Sequence, residues 1–66
     1  MMIGKITKIE DKVATVEMTY GETLHFITSH KSVTHGEKFD VGDEVSIRMS
    51  RDNSRVASIV PADPRP

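Results

Sequence analysis

A chain of 66 residues has room for one small domain, and because this one contains no cysteine, neither a disulfide nor a thiolate–metal site can reinforce it. Its 9 basic and 10 acidic residues give a net charge of -1, which argues against a broad surface for duplex phosphates. No apolar run approaches the roughly 20 residues that span a bilayer, and the opening MMIGKITKIED lacks an apolar signal-peptide centre, so we expect a cytoplasmic protein that does not bind membranes.

The first predicted strand covers Met2–Glu10. Its apolar residues Ile3, Ile6 and Ile9 recur every third position, a spacing that also suits a helix. Three isoleucines in so short a stretch favour a strand, and a kink or bulge near Gly4 would explain the spacing.

Two further strands are predicted over Val13–Thr19 and Thr23–Thr28, because apolar and polar residues alternate in both. Tight turns at residues 11–12 and 20–22 connect the three strands. The residues predicted to face inward are Ala14, Val16, Met18, Leu24, Phe26 and Thr28. His25 and Ile27 then fall on the outer face.

A polar stretch, residues 29–40, is the longest connection and has room for a helical turn. The last two strands are predicted over Glu44–Ser50 and Arg55–Val60, joined by an Arg-Asp-Asn-Ser turn. Their inward residues would be Val45, Ile47, Met49, Ala57 and Ile59. Tyr20 and Phe39 are predicted to cap the ends of the core. We expect one β-barrel domain over residues 1–60 and a flexible proline-rich tail over residues 61–66.

Three strands in a meander, a long connection and a final hairpin predict an all-β fold, a five-stranded OB-fold barrel. Closing the sheet into a barrel is the best way for so short a chain to protect its edges. An SH3-like barrel is the competing prediction.

Over nearly its full length the chain resembles a divergent cold-shock domain. GKITKI resembles the first strand of that family, DKVATV and LHFI occupy the places of its two RNA-binding motifs, and GEKFDVGDEVSIRMSRDNSRVASIVPA resembles its final hairpin. The resemblance implies binding of single-stranded RNA or DNA by stacking of bases on aromatic side chains. Lys8, Val13 and Thr15 stand where the family has aromatic residues, so His25 is the planar ring that remains.

A second resemblance is to the small molybdate-binding Mop or TOBE domains, which are also OB-type barrels. It rests on GETLHFITSHKSV and the later VGDEV. This resemblance implies oxyanion binding by an oligomer, with Thr28, Ser29, Lys31 and Ser32 as candidate donors.

The residue types present argue against a catalytic site or a metal site. His25, His30 and His35 recur every five residues, but without cysteine or a tight carboxylate cluster they lack the usual partners of a structural zinc site. A histidine–serine–aspartate triad needs a pocket and an oxyanion hole, and a small barrel is filled by its own side chains. We therefore expect no enzymatic activity, no bound metal and no cofactor.

The leading functional hypothesis is that the face of strands one to three binds single-stranded nucleic acid, with RNA as the preferred ligand. The residues predicted to make this surface are Lys5, Lys8, Lys12, Val13, Thr15, His25, Ile27, Lys31 and Arg48. Arg51 and Arg55 would add phosphate contacts. The alternatives are a protein-interaction or regulatory adaptor that uses the same barrel, and the oxyanion-binding oligomer. The sequence leaves the oligomeric state open.

Overall fold

The computed structural model of the protein describes residues 2–62 and is built almost entirely from strands. The elements in chain order are β1 (Met2–Glu10), β2 (Val13–Met18), β3 (Thr23–Ile27), α1 (Lys31–Thr34), β4 (Glu44–Met49) and β5 (Val56–Pro61). The all-β prediction is confirmed, and the predicted ends of β2 to β5 differ from these bounds by one residue. Pro61, predicted to begin the tail, is the last residue of β5, and residues 63–66 lie outside the described residues.

The five strands form one antiparallel sheet in the order β3-β2-β1-β4-β5. β1 is the longest strand and lies in the centre, paired with β2 along one side and with β4 along the other. The outermost strands, β3 and β5, also contact each other, so the sheet curls around a single core as a half-barrel. The short helix α1 follows β3 and packs against β5.

The threefold spacing of isoleucines in β1 comes from a bulge, but the bulge is not at Gly4. The register with β2 shifts between Ile6 and Lys8, which leaves Thr7 as the extra residue. Inserting one residue reverses the alternation, so Ile6 and Ile9 both turn towards the core. The prediction placed the irregularity three residues too early, because an irregular spacing reveals that a bulge exists without fixing its position.

Gly4 is buried in regular register, opposite Met18 on β2 and Val45 on β4. A Cβ atom at this position would lie 2.7 Å from both the Met18 sulfur and Cγ1 of Val16, and 3.0 Å from the Glu17 carbonyl oxygen. Glycine is therefore needed here because neighbouring side chains fill the space above its Cα atom.

A second bulge lies in β5 and corrects the inward residues predicted there. Arg48 pairs with Ser58 while Met49 pairs with Val56, so Ala57 is the extra residue. Val56 and Ile59 are buried, whereas Ala57, the predicted core residue, is only half-buried. As in β1, one inserted residue moves the inward position by one.

The core contains mostly aliphatic residues from all five strands. Its buried members are Ile6, Ala14, Val16, Met18, Phe26, Val33, Phe39, Val45, Ile47, Val56 and Ile59. Phe39 closes the core against Phe26 in an edge-to-face contact with ring centroids 5.7 Å apart, as expected for a residue that caps one end. Tyr20, predicted to cap the other end, is instead 54% exposed. None of the described helical segments is long and apolar enough to cross a membrane.

Candidate nucleic-acid interface

Four of the predicted site residues form one continuous patch on the outer face of β2 and β3. The register pairs Val13 with Ile27 and Thr15 with His25, so the four side chains occupy two adjacent rows. Val13 and Thr15 are half-buried, His25 is exposed, and Ile27 is 46% exposed, a large value for an isoleucine. We call these four residues the β2–β3 patch. It offers a mainly apolar surface with one planar ring.

Lys12 lies at one end of this patch, in the two-residue turn between β1 and β2. Asp11 and Lys12 both have positive φ, at 51° and 66°, as the tightest hairpin turns require. The Thr28 backbone N–H and the Thr28 hydroxyl both donate to the Lys12 carbonyl, at 2.8 and 3.2 Å. These bonds tie the turn to the residue that follows Ile27, so the lysine stands beside the apolar end of the patch.

The left-handed backbone at Lys12 is unusual for a residue of this type. Turns of this geometry strongly favour glycine at the second position, because any Cβ atom is strained there. A non-glycine residue in this region costs about 1 kcal/mol or more. Lys12 therefore occupies a backbone conformation that glycine would adopt with less strain.

Lys8 and Lys5 lie on the outer face of β1, and both have carboxylates close by. Lys8 lies opposite Thr15 and so extends the patch by one strand, and its Nζ is 3.5 Å from Oε1 of Glu10. Both partners of this ion pair are well exposed, and such pairs contribute little, so Lys8 can exchange its partner for a phosphate. Lys5 lies between two glutamates, one directly opposite on β2 and one on β4, which lowers the local positive potential.

Lys31 and Arg48 lie outside the β2–β3 patch. Lys31 is the first residue of α1, and its carbonyl accepts a hydrogen bond from the His35 N–H at 2.7 Å, one helical turn away. Arg48 lies beyond the Met2–Ile47 pair, and the seven residues of β1 from Met2 to Lys8 cover about 20 Å along the strand. The structure therefore brings together the four patch residues with Lys8 and Lys12. It leaves Lys31 on α1, one helical turn from His35, and Arg48 on β4, so neither belongs to the patch.

Around Arg48 lies a groove that the sequence reasoning did not identify. It has a volume of about 660 Å³, and its lining includes Ser46, Asn53 and Ser58. His35, just after α1, also lines it, and its Nε2 is 2.8 Å from the Ser58 hydroxyl oxygen. These two residues are 23 positions apart in the chain, so no local spacing could have connected them.

The turn beside this groove, between β4 and β5, is held by one carboxylate. Asp52 accepts hydrogen bonds from the Ser50 hydroxyl at 2.7 Å, the Ser54 hydroxyl at 2.6 Å and the Ser54 N–H at 3.1 Å. The bonds from Ser54 and Ser50 stabilise the charged form and lower the pKa of Asp52 to about 2. Asn53 completes the turn with a φ of 58°.

Two of the hydroxyls suggested as oxyanion donors have partners within the protein. The Thr28 hydroxyl donates to the Lys12 carbonyl, and the Ser32 hydroxyl is 2.9 Å from Nε2 of His30. A site built from these groups would first have to break both contacts.

The three histidines occupy unrelated places. His25 projects from the outer face of β3, His30 precedes α1, and His35 follows it in a left-handed conformation. Across residues 2–62 no group of three or more histidine, aspartate or glutamate side chains is close enough together to hold a metal ion.

Comparisons of this chain with protein-family models, with curated proteins and with solved structures find no match.

Proposed function

We propose that this protein is a small, non-enzymatic OB-type barrel that binds single-stranded nucleic acid, RNA or DNA, through the β2–β3 patch together with Lys8 and Lys12. The strand order β3-β2-β1-β4-β5, with a helix between β3 and β4, supports the OB-type assignment made from the sequence. In that kind of barrel the outer wall, rather than an internal cavity, meets the ligand.

The observation that carries the proposal is the continuity of the patch. Val13, Thr15, His25 and Ile27 form a shallow surface about two residues wide, on which bases can lie flat. Single-stranded nucleic acid is commonly bound by such surfaces, with bases on planar or apolar groups and phosphates along a cationic rim. Lys12, kept at a strained turn position beside Ile27, supplies a cation on that rim.

The composition of the patch also predicts its strength. A base stacked on an aromatic ring gains about 1–3 kcal/mol, and the patch has a single ring, that of His25. Two lysines can contact only a few phosphates. We therefore expect micromolar affinity at low salt and little preference for sequence.

The test is a fluorescence-anisotropy titration with labelled oligouridylate and oligothymidylate, compared between wild type and two variants of β3. His25→Ala removes the only ring of the patch and should weaken binding about tenfold or more, the size of one lost stacking contact. Thr23→Ala is the matched control, because Thr23 lies on the same face of the same strand but opposite Glu17, outside the patch. It should bind like wild type.

No binding at micromolar protein and low salt would exclude the proposal, and equal weakening by both variants would exclude the patch. The adaptor and oxyanion alternatives stay predictions. A protein partner retained after nuclease treatment would favour the adaptor, and a rise in melting temperature with molybdate would favour the oxyanion-binding oligomer.

A further inference from the structure

We infer that the groove beside β4 and β5 is a second ligand site, for a phosphate group carried on a nucleoside. We call it the β4–β5 groove and define it by His35, Arg48, Met49, Asn53, Ser58 and Val60. Its volume of about 660 Å³ lies within the range of pockets that bind small organic ligands. It shares no residue with the β2–β3 patch, lies on the other side of β1 in the strand order, and does not depend on the function proposed for that patch.

The polar side chains of the groove are grouped closely enough to act together. Arg48 and Ser58 lie directly opposite each other on neighbouring strands. Ser58 in turn contacts the His35 imidazole, at 2.8 Å from Oγ to Nε2. Asn53 adds an amide from the adjoining turn. The hydrogen bond between Ser58 and His35 uses one of their protons, so this pair offers its remaining N–H or O–H to a ligand. The Arg48 guanidinium and the Asn53 amide add donors of the kind that phosphate oxygens accept, and the guanidinium fork can contact two oxygens at once.

The charge of the groove fits an anion. None of its described lining residues is acidic, and within residues 2–62 no ion pair joins Arg48 to a carboxylate. Glu44 and Asp52 are equally near to Arg48 along the chain, four residues away on either side, and Asp52 accepts three hydrogen bonds inside the turn. Arg51 and Arg55 flank this carboxylate and are exposed, so positive charge dominates the hairpin. The lysines of β1 differ, because each has a glutamate beside it.

The rest of the lining fits the organic part of the ligand. Met2, Met49 and Val60 contribute apolar surface next to the polar group. Methionine side chains are flexible and polarisable, and they pack well against flat rings. Inorganic phosphate would leave this surface in water, whereas the ring of a nucleotide would cover it. The occupant is therefore a nucleoside phosphate, either free or at the phosphorylated end of a strand.

The experiment is a titration of isotope-labelled protein followed by amide chemical shifts. The probes are adenosine 5′-monophosphate, inorganic phosphate, and oligothymidylate with or without a 5′-phosphate. The mononucleotide should move the amides of Ser46, Arg48, Asn53 and Ser58 and leave those of the β2–β3 patch unchanged. Inorganic phosphate should bind more weakly. A 5′-phosphate that adds groove shifts to the oligonucleotide identifies the end of a strand as a source, and groove shifts with the mononucleotide alone identify the free nucleotide.

Arg48→Gln and Lys5→Gln form a matched pair, since each removes one cation from an exposed strand position. Arg48→Gln should weaken mononucleotide binding about tenfold or more, as expected when a charge-assisted hydrogen bond is lost. Lys5→Gln should change it less than twofold, and both should melt like wild type.

Three results would overturn the inference: no groove shifts at millimolar mononucleotide, equal losses in the two variants, or inorganic phosphate binding as tightly as the nucleotide. Oligonucleotide binding at the β2–β3 patch is read from different amides, so either site can fail without the other.

Discussion

Replacing Gly4 with alanine tests how closely the strands pack around β1. Two effects of this substitution have opposite signs. Alanine narrows the conformational freedom of the unfolded chain, which stabilises a protein by about 0.4–1 kcal/mol where the native backbone accepts it. Against this, the new methyl group would lie 2.7 Å from two side-chain atoms and 3.0 Å from a backbone oxygen.

The net effect depends on how far the three neighbouring atoms can move to accommodate the new methyl group. The Met18 sulfur is near the end of a flexible chain, but that residue is only 3% exposed and has little room to move. Val16 is fully buried and β-branched, so its Cγ1 cannot rotate away cheaply, and the Glu17 carbonyl belongs to the sheet itself. Overpacking of this kind costs about 1–3 kcal/mol, which exceeds the entropic gain. We expect a net loss of about 1–2 kcal/mol.

Urea and thermal denaturation followed by circular dichroism measure this loss. A domain of this size loses about 4–8 °C in melting temperature for each kcal/mol, so Gly4→Ala should melt about 4–16 °C below wild type. Met18→Ala provides a second background, in which one of the three contacts is absent and the cost of Gly4→Ala should be smaller. A Gly4→Ala variant as stable as wild type, or more stable, would show that β1 is not packed as described.

Three further predictions concern the turns and the ligand surface. Lys12→Gly should relieve the left-handed strain, and about 0.5–1 kcal/mol of stability should remain after the entropic cost of glycine, so the melting temperature should rise by about 2–8 °C. The same variant should bind oligonucleotide more weakly. A variant that gains stability with unchanged affinity would show that Lys12 is not part of the interface. The pKa of Asp52 falls on folding from 3.8 to about 2, so its contribution is present above about pH 4 and is lost as the pH decreases towards 2. Between pH 4 and 2 the melting temperature should therefore decrease less steeply with pH for Asp52→Asn than for wild type. An equal decrease in both proteins would contradict the hydrogen bonds described for that turn. Finally, the logarithm of the oligonucleotide association constant should fall with the logarithm of salt concentration at a slope of about -1.4 to -2.1, as for two or three phosphate contacts on a single strand. A slope near zero would mean that the lysines do not contact phosphates.

Much of the fold could be predicted because strand alternation is a local property. In β2, Ala14, Val16 and Met18 face the core as predicted, and in β3 the sequence correctly places His25 and Ile27 on the outer face. Each of these assignments needs only the twofold period of a strand and the cost of leaving apolar side chains in water.

What could not be predicted depends on pairing between strands. The bulges at Thr7 and Ala57 arise where one strand places an extra residue against its partner. The spacing of isoleucines in β1 predicted a bulge but not its position, and the bulge in β5 was not predicted. The local charge around Lys5 could not be predicted either, because the two glutamates that flank it come from two other strands.

The sequence by itself determined the class of the fold, the approximate limits of its strands and the outward position of the patch residues, since all three follow from the order of apolar and polar side chains along the chain. Only the tertiary structure decided that Arg48 lies far from Lys8, that His35 meets Ser58, and that a groove opens between them. Those relations are set by the register of β1 with β4 and by the packing of α1 on β5. Register and packing join residues from different elements, so the order of side chains within one strand does not specify them.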